Sequence, residues 1–184
     1  PNDRLYLGFR LPVAHTPEFL ACAVAIDALG SLTTSRLYRR LVRVEEVATS
    51  VSGASLGLVD GASLGFLGID VAESADPHAV ELAVCAELER FAEEGPTEVE
   101  LESSLADTER SWLEALAGHQ ERADLISHYT LLHDDTEHIN TYLDGVRQVT
   151  ADQVREAAAR WLIPDARATV AFRAVADEAT EVVA

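Results

Sequence analysis

The chain has 184 residues, 32 acidic against 14 basic, and a net charge of −18; every basic residue is Arg, with neither Lys nor Met. A surface this acidic repels phosphate backbones and anionic lipid headgroups, which excludes general nucleic-acid binding and polybasic membrane attachment. With 48% hydrophobic and 25% charged residues the sequence still supplies a packed core, so disorder is excluded as well.

Residues 4–13 (RLYLGFRLPV), rich in Leu, Tyr, Phe and Val, predict a strand. Thr16-Pro17 then offers an N-cap with Pro at the first helical position, predicting a helix that runs through Leu29 and is closed by Gly30. Its apolar run, Phe19–Ile26, is eight residues long, far short of the roughly 20 that span a bilayer. Glu18 stands where a secretory signal would be basic. A second short helix is predicted over about 34–44, followed by two β-rich runs, 47–58 and 62–71, with Asp60-Gly61 as the hairpin turn. The glycines at 53, 57, 61, 65 and 68 match no phosphate loop and point to turns, bulges or close backbone approach.

From residue 75 the pattern turns helical. Asp76-Pro77 caps a helix with Val80, Val84, Leu88 and Phe91 at helical spacing, ended by Gly95-Pro96. Thr97-x-x-Glu100 is a capping box for a long helix striped with Leu101, Leu105, Trp112 and Leu116. Helices are predicted over 121–131 and 135–146, and a second capping box, Thr150-x-x-Gln153, opens one that ends near Leu162. The last strand is predicted at 166–175. Strands at both ends and in the middle, with helices in blocks, predict an α+β fold: a small, mostly antiparallel sheet with helices on one face. Residues 1–175 are read as one such domain and 176–184 as a tail; beginning at Pro1 without any Met, the chain is expected to be a piece of a longer two-domain protein.

Few residues offer chemistry. Cys22 and Cys85 lie in apolar stretches and read as buried reduced thiols. Neither a Gly-x-Ser-x-Gly elbow nor His-x-x-Glu-His occurs. His133 and His138, taken as five residues apart on one helix, would point roughly 140° apart and could not share an ion. No catalytic residue and no metal site is therefore expected. Arg36, Arg39, Arg40 and Arg43 place four of the 14 cations in eight residues. Arg36, Arg40 and Arg43, at i, i+4 and i+7, share one helix face and are the candidate substrate-binding residues, their guanidinium forks suited to carboxylates or peptide carbonyls. The alternative is that they pair with neighbouring acidic helices.

Three stretches carry a family resemblance. Leu29-Gly30-Ser31, Ser35-Arg36-Leu37-Tyr38 and Ala48-Thr49-Ser50-Val51 follow one another in Ala23–Val51; Glu94–Leu101 reads EGPTEVEL; and Ile139-Asn140-x-Tyr142-Leu143 leads into Val149–Val154 and Ala159-Arg160-Trp161-Leu162. Together they resemble the second, non-zinc domain of the pitrilysin/insulinase family of zinc metallopeptidases, which includes the mitochondrial processing peptidases. The resemblance implies a non-catalytic domain that encloses a peptide chamber opposite a homologous domain bearing His-x-x-Glu-His and zinc. It implies no cofactor in this chain, zinc in the companion domain, and that domain and a peptide as partners. Many such domains carry an Arg and, seven residues on, a Tyr that reach the substrate; those positions fall on Val42 and Thr49. The alternative is a proteolytically inactive scaffold or assembly subunit. With no export signal in the sequence, a cytoplasmic location is expected.

Overall fold

The structure is a computed structural model that describes residues 3–59 and 61–174. Strand β1 (Arg4–Leu11) lies inside a four-stranded antiparallel sheet of order β2-β3-β1-β4, with β2 Ala48–Leu56, β3 Ser63–Val71 and β4 Ala168–Phe172. Alternation along β1 sends Leu5, Leu7, Phe9 and Leu11 into the core and turns Arg4, Tyr6 and Arg10 outward. Leu67, Ile69 and Val71 of β3 continue the buried face.

Helix α1 (Pro17–Ile26) begins where predicted: Thr16 Oγ1 accepts the Phe19 amide at 3.1 Å. Its end differs. Instead of closing at Gly30, the chain widens into a π-helical turn, Asp27–Ser31, that holds Gly30 buried against the sheet. A Cβ on Gly30 would stand 2.9 Å from Leu67 Cδ2 and would force that side chain to shift, so glycine serves close approach there and not a cap. The predicted second helix covers Arg36–Val44, and from Tyr38 on it too is π-helical, with the Glu45 amide bonded to the Arg40 carbonyl at 2.9 Å. The β2–β3 hairpin forms, with a bulge between Ala48 and Ser50. Asp60 of its expected turn lies outside the described residues, as does the expected tail at 176–184.

The helical half follows its local signals. Helix α2 (Pro77–Glu94) stops at Gly95, whose φ is +73°. Helices α3 (Glu98–Ala117) and α6 (Ala151–Trp161) each open on a complete capping box. Between them, α4 (His119–His133) and α5 (His138–Arg147) form an outlying arm, joined to the body through Trp112, whose indole donates to the Ile139 carbonyl at 3.3 Å. Helices α1, α2 and α6 bury Ile26, Val84, Leu88, Phe91, Val154 and Ala158 against the inner sheet face. No helix of the described residues is long and apolar enough to cross a membrane.

Among the described residues no helix covers the outer sheet face. Tyr6, Leu64, Phe66, Val170 and Phe172 remain exposed there, Leu64 by 45% and Phe172 by 58%. Tyr6 meets the edge of Phe172 with ring centroids 5.9 Å apart. These side chains form an apolar stripe across neighbouring strands of an otherwise acidic molecule.

Candidate functional site

The arginine cluster splits into two environments. Arg36 is 8% exposed and stacks 4.8 Å over the Phe91 ring. Its Nε donates to both oxygens of Glu100 at 2.9 and 3.0 Å, and its Nη2 to Glu100 at 2.9 Å and to the Gly95 carbonyl at 2.7 Å. Glu100 is also the acidic half of the α3 capping box, accepting the Thr97 amide at 2.9 Å. One carboxylate thus caps the start of α3 and locks the short helix to it. Burial alone would raise the pKa of Glu100, but the Arg36 and Thr97 donors hold it below the ordinary value.

Fully buried Glu87 is the second node. Arg40 reaches it at 3.2 Å and Arg90 at 2.6 Å, while Arg36 stands 3.8 Å away. Arg40 also donates to Glu45 at 2.7 Å and to the Ala83 carbonyl at 3.2 Å. Arg39, which the helix-face argument passed over, reaches Glu100 at 2.8 Å. Arg36, Arg39, Arg40 and Arg90 line one open cleft of about 610 Å³ together with Glu94 and Glu100. Sequence spacing gave no signal for Arg90, which comes from α2.

Arg43 points elsewhere. The i→i+5 winding sets it 5.6 Å over the ring of Tyr38, five residues back, exposed and without a carboxylate partner among the described residues. The three candidate residues therefore do not act as one face: Arg36 and Arg40 meet at Glu87, and Arg43 stands apart. Val42 packs against the core, and Thr49 is exposed on β2, its hydroxyl donating to the Asp70 carbonyl at 3.3 Å.

A second cavity, of about 330 Å³, lies between α1, α3 and α5, lined by Asp27, Asp107, Trp112 and Tyr142 among others. The Ser31 hydroxyl lies 2.7 Å from an Asp27 oxygen and 2.9 Å from the Gly53 carbonyl. One hydroxyl proton cannot serve both acceptors. With Asp27 ionised, Ser31 donates to one of the two at a time; once Asp27 is protonated it can donate to Ser31, leaving the Ser31 proton for the Gly53 carbonyl. Burial first, and the nearby Asp107 charge after it, accordingly push the Asp27 pKa up to about 6 against the opposing Ser31 bond.

The cysteines are free and buried; burial, with Glu18 beside it, pushes the Cys22 thiol up to about 12, so it is no nucleophile. His133 and His138 do not share a helix. His133 ends α4 and His138 begins α5, with their rings 4.3 and 4.6 Å from the ring of His15.

Residues 1–106 match the family model described as the peptidase M16 inactive domain. The chain belongs to the peptidase M16 inactive-domain family. That family assignment agrees with a sequence lacking His-x-x-Glu-His: the residues present offer no such ligand set for a hydrolytic zinc. Among solved structures, the M16 domain is similar to the inactive peptidase domain of a protein described as a zinc protease from Bordetella parapertussis. The two are 22% identical, with a TM-score of 0.85 over 95% of this chain and 91% of that one. A chain described as a zinc protease from Bordetella pertussis Tohama I gives 22% identity and a TM-score of 0.83 over 95% and 94%. A protease from Helicobacter pylori is 17% identical with a TM-score of 0.83, and there the similarity takes in 94% of this chain but 41% of the other. None of the curated proteins compared with the chain matches it.

Proposed function

We propose that this M16 domain is the non-catalytic wall of a peptide chamber, closed against a homologous companion domain that carries zinc on His-x-x-Glu-His. The observation that carries the reading is the uncovered apolar sheet face with Tyr6, Leu64, Phe66, Val170 and Phe172. Among the described residues the helices pack on one side of the sheet, and on the other these apolar side chains stay open beside Arg4 and Arg10, a surface suited to a second body. The Helicobacter pylori protease, of which this chain spans 41%, leaves room for such a companion. Enclosure orients a peptide and excludes water from a reacting centre that lies on the opposite wall.

Within this reading Arg40 and Arg43 contact the peptide, and Arg36 holds the short helix that presents them. Arg43 has its whole fork free among the described residues, suited to a backbone carbonyl or a carboxylate. The test mixes the chain with a zinc-bearing companion domain and follows cleavage of an unstructured peptide. Leu64→Ser/Phe172→Ser is expected to abolish association and cleavage together while leaving the isolated fold intact. Arg40→Ala/Arg43→Ala is expected to raise KM with the two domains still associated; unchanged kinetics would remove the arginines from the substrate wall. A second reading, a scaffold subunit without proteolysis, is favoured by Val42 and Thr49 at the positions where many related domains carry Arg and Tyr. In that case association persists and no peptide is cut.

A further inference from the structure

We infer that His15, His128 and His133 form a binding site for one divalent late transition-metal ion of the zinc type. The site lies in this chain and is independent of any His-x-x-Glu-His centre.

The triad is assembled from distant parts of the fold. His15 belongs to the loop between β1 and α1, whereas His128 and His133 lie in the second half of α4. Five residues would splay two imidazoles on a regular helix, but the last turn of α4 widens, the Asp134 amide bonding to the Tyr129 carbonyl five residues back, and the two rings lie 5.4 Å apart. One ligating nitrogen from each lies within 4.8 Å of the other two. His15 Nε2 and His133 Nε2 are 3.1 Å apart across a separation of 118 residues. Tetrahedral zinc, with its imidazole nitrogens at about 2.0–2.1 Å, holds those nitrogens roughly 3.3 Å from one another. Two of the three ligands therefore already stand at coordination spacing. His128 is exposed, with its ring 5.4 Å from that of His133, so ion binding requires a side-chain turn at His128 to close the remaining distance.

The backbone is bent at the residues that make this convergence. His15 has φ +64° and Asp134, directly after His133, has φ +51°, the left-handed region that residues other than glycine seldom occupy. His15 is held in that conformation between the end of β1 and the Thr16 cap of α1. Behind the triad, His138 packs its ring 4.6 Å from that of His15, and its Nε2 is buried without a hydrogen-bond partner among the described residues. A hydrogen bond between two neutral imidazoles would account for the 3.1 Å contact, but not for a third nitrogen brought beside it. Imidazoles alone select zinc, copper, nickel or cobalt over calcium and magnesium.

The arm itself gives the ion a task. Of the 15 residues of α4, only Tyr129 is buried, so little apolar area secures this helix to the body. An ion shared by His15 on the body and His128 and His133 on the arm ties the two together. Three protein ligands leave the fourth tetrahedral position to water or to a group from a partner.

The experiment uses the full chain, free of any affinity tag and stripped with chelator, titrated with Zn²⁺ by calorimetry and with Co²⁺ by visible absorption. One equivalent is expected to bind, the cobalt complex showing the intense bands of a tetrahedral nitrogen site, and the thermal midpoint is expected to rise. His133→Ala and His128→Ala should each weaken binding by at least about tenfold, whereas His78→Ala, remote from the cluster, should not. His15→Asn removes a ligand while keeping a residue that tolerates the left-handed backbone; if it fails to fold, the two α4 variants decide. Absence of binding in a large molar excess of Zn²⁺, or equal affinity in wild type and the α4 variants, would overturn the inference.

Discussion

Replacing Asp27 by Asn should stabilise the domain at neutral pH and leave its stability almost unchanged near pH 4. Asp27 has an ordinary pKa of 3.8 and a folded value pushed up to about 6, by burial first and by Asp107 second. A carboxyl whose folded value is raised binds its proton more tightly when folded. Its contribution to stability is therefore complete below 3.8 and is lost as the pH rises through about 6. At about 1.4 kcal/mol per pH decade, that gap is worth about 3 kcal/mol, an upper figure because Asp27 is only partly buried. Asn is isosteric with the protonated acid and can donate to Ser31 as the acid does, so Ser31 still bonds to Gly53. The assay is urea unfolding of both proteins from pH 4 to pH 8. Subtracting one curve from the other cancels the titration of every other group. The variant should gain with pH between about 4 and 6 and then level off; a flat difference, or a variant weaker at pH 7, would refute the proton chain from Asp27 through Ser31 to Gly53.

Arg36→Ala is expected to destabilise by about 3–5 kcal/mol in denaturant unfolding, because it leaves buried Glu100 with only the exposed Arg39 and the Thr97 amide and removes the donor to the Gly95 carbonyl. Combining it with Glu100→Gln should recover part of the loss, and a double mutant no better than the single would show that Glu100 is not the stranded charge. Gly65→Ala puts a Cβ 2.5 Å from Ile26 Cδ1 and 3.0 Å from Leu11 Cδ1. Overpacking of this kind costs about 1–3 kcal/mol, and Ile26→Val, which removes the nearer methyl, should return much of it when melting curves are compared.

Four helix starts were legible in the sequence because a cap is made within four residues, whereas α4 and α5, which have no side-chain cap, begin at His119 and His138 and not at 121 and 135. Thr97 with Glu100 and Thr150 with Gln153 form the boxes their spacing predicts, and Thr16 and Asp76 cap their helices before Pro17 and Pro77. The strands were legible through alternation, and the sheet with helices on one face follows from it. Helix ends were less so. The π turns at Asp27–Ser31 and Tyr38–Val44 accompany long-range contacts, Gly30 against Leu67 and Arg40 on Glu87, that no local pattern records. A helical wheel drawn at 3.6 residues per turn therefore put Arg43 on the wrong face.

The candidate site shows the same division more sharply. Composition and spacing found the cationic segment 36–43 in an acidic chain and the resemblance that runs through it. Only the tertiary structure turned Arg36 into a buried strut, by supplying Glu100 from 64 residues away, and brought Arg90 into the same cleft. Likewise His15 and His133 are 118 residues apart, and treating residues 133–138 as one helix hid their common neighbour. What the sequence determined by itself is whatever short-range geometry decides: caps, strand faces, the lack of a hydrolytic motif and an exterior that repels polyanions. What the fold alone decided is which charges and imidazoles meet. Coulombic attraction and metal coordination act over a few ångströms of space, and distance along the chain does not measure that space.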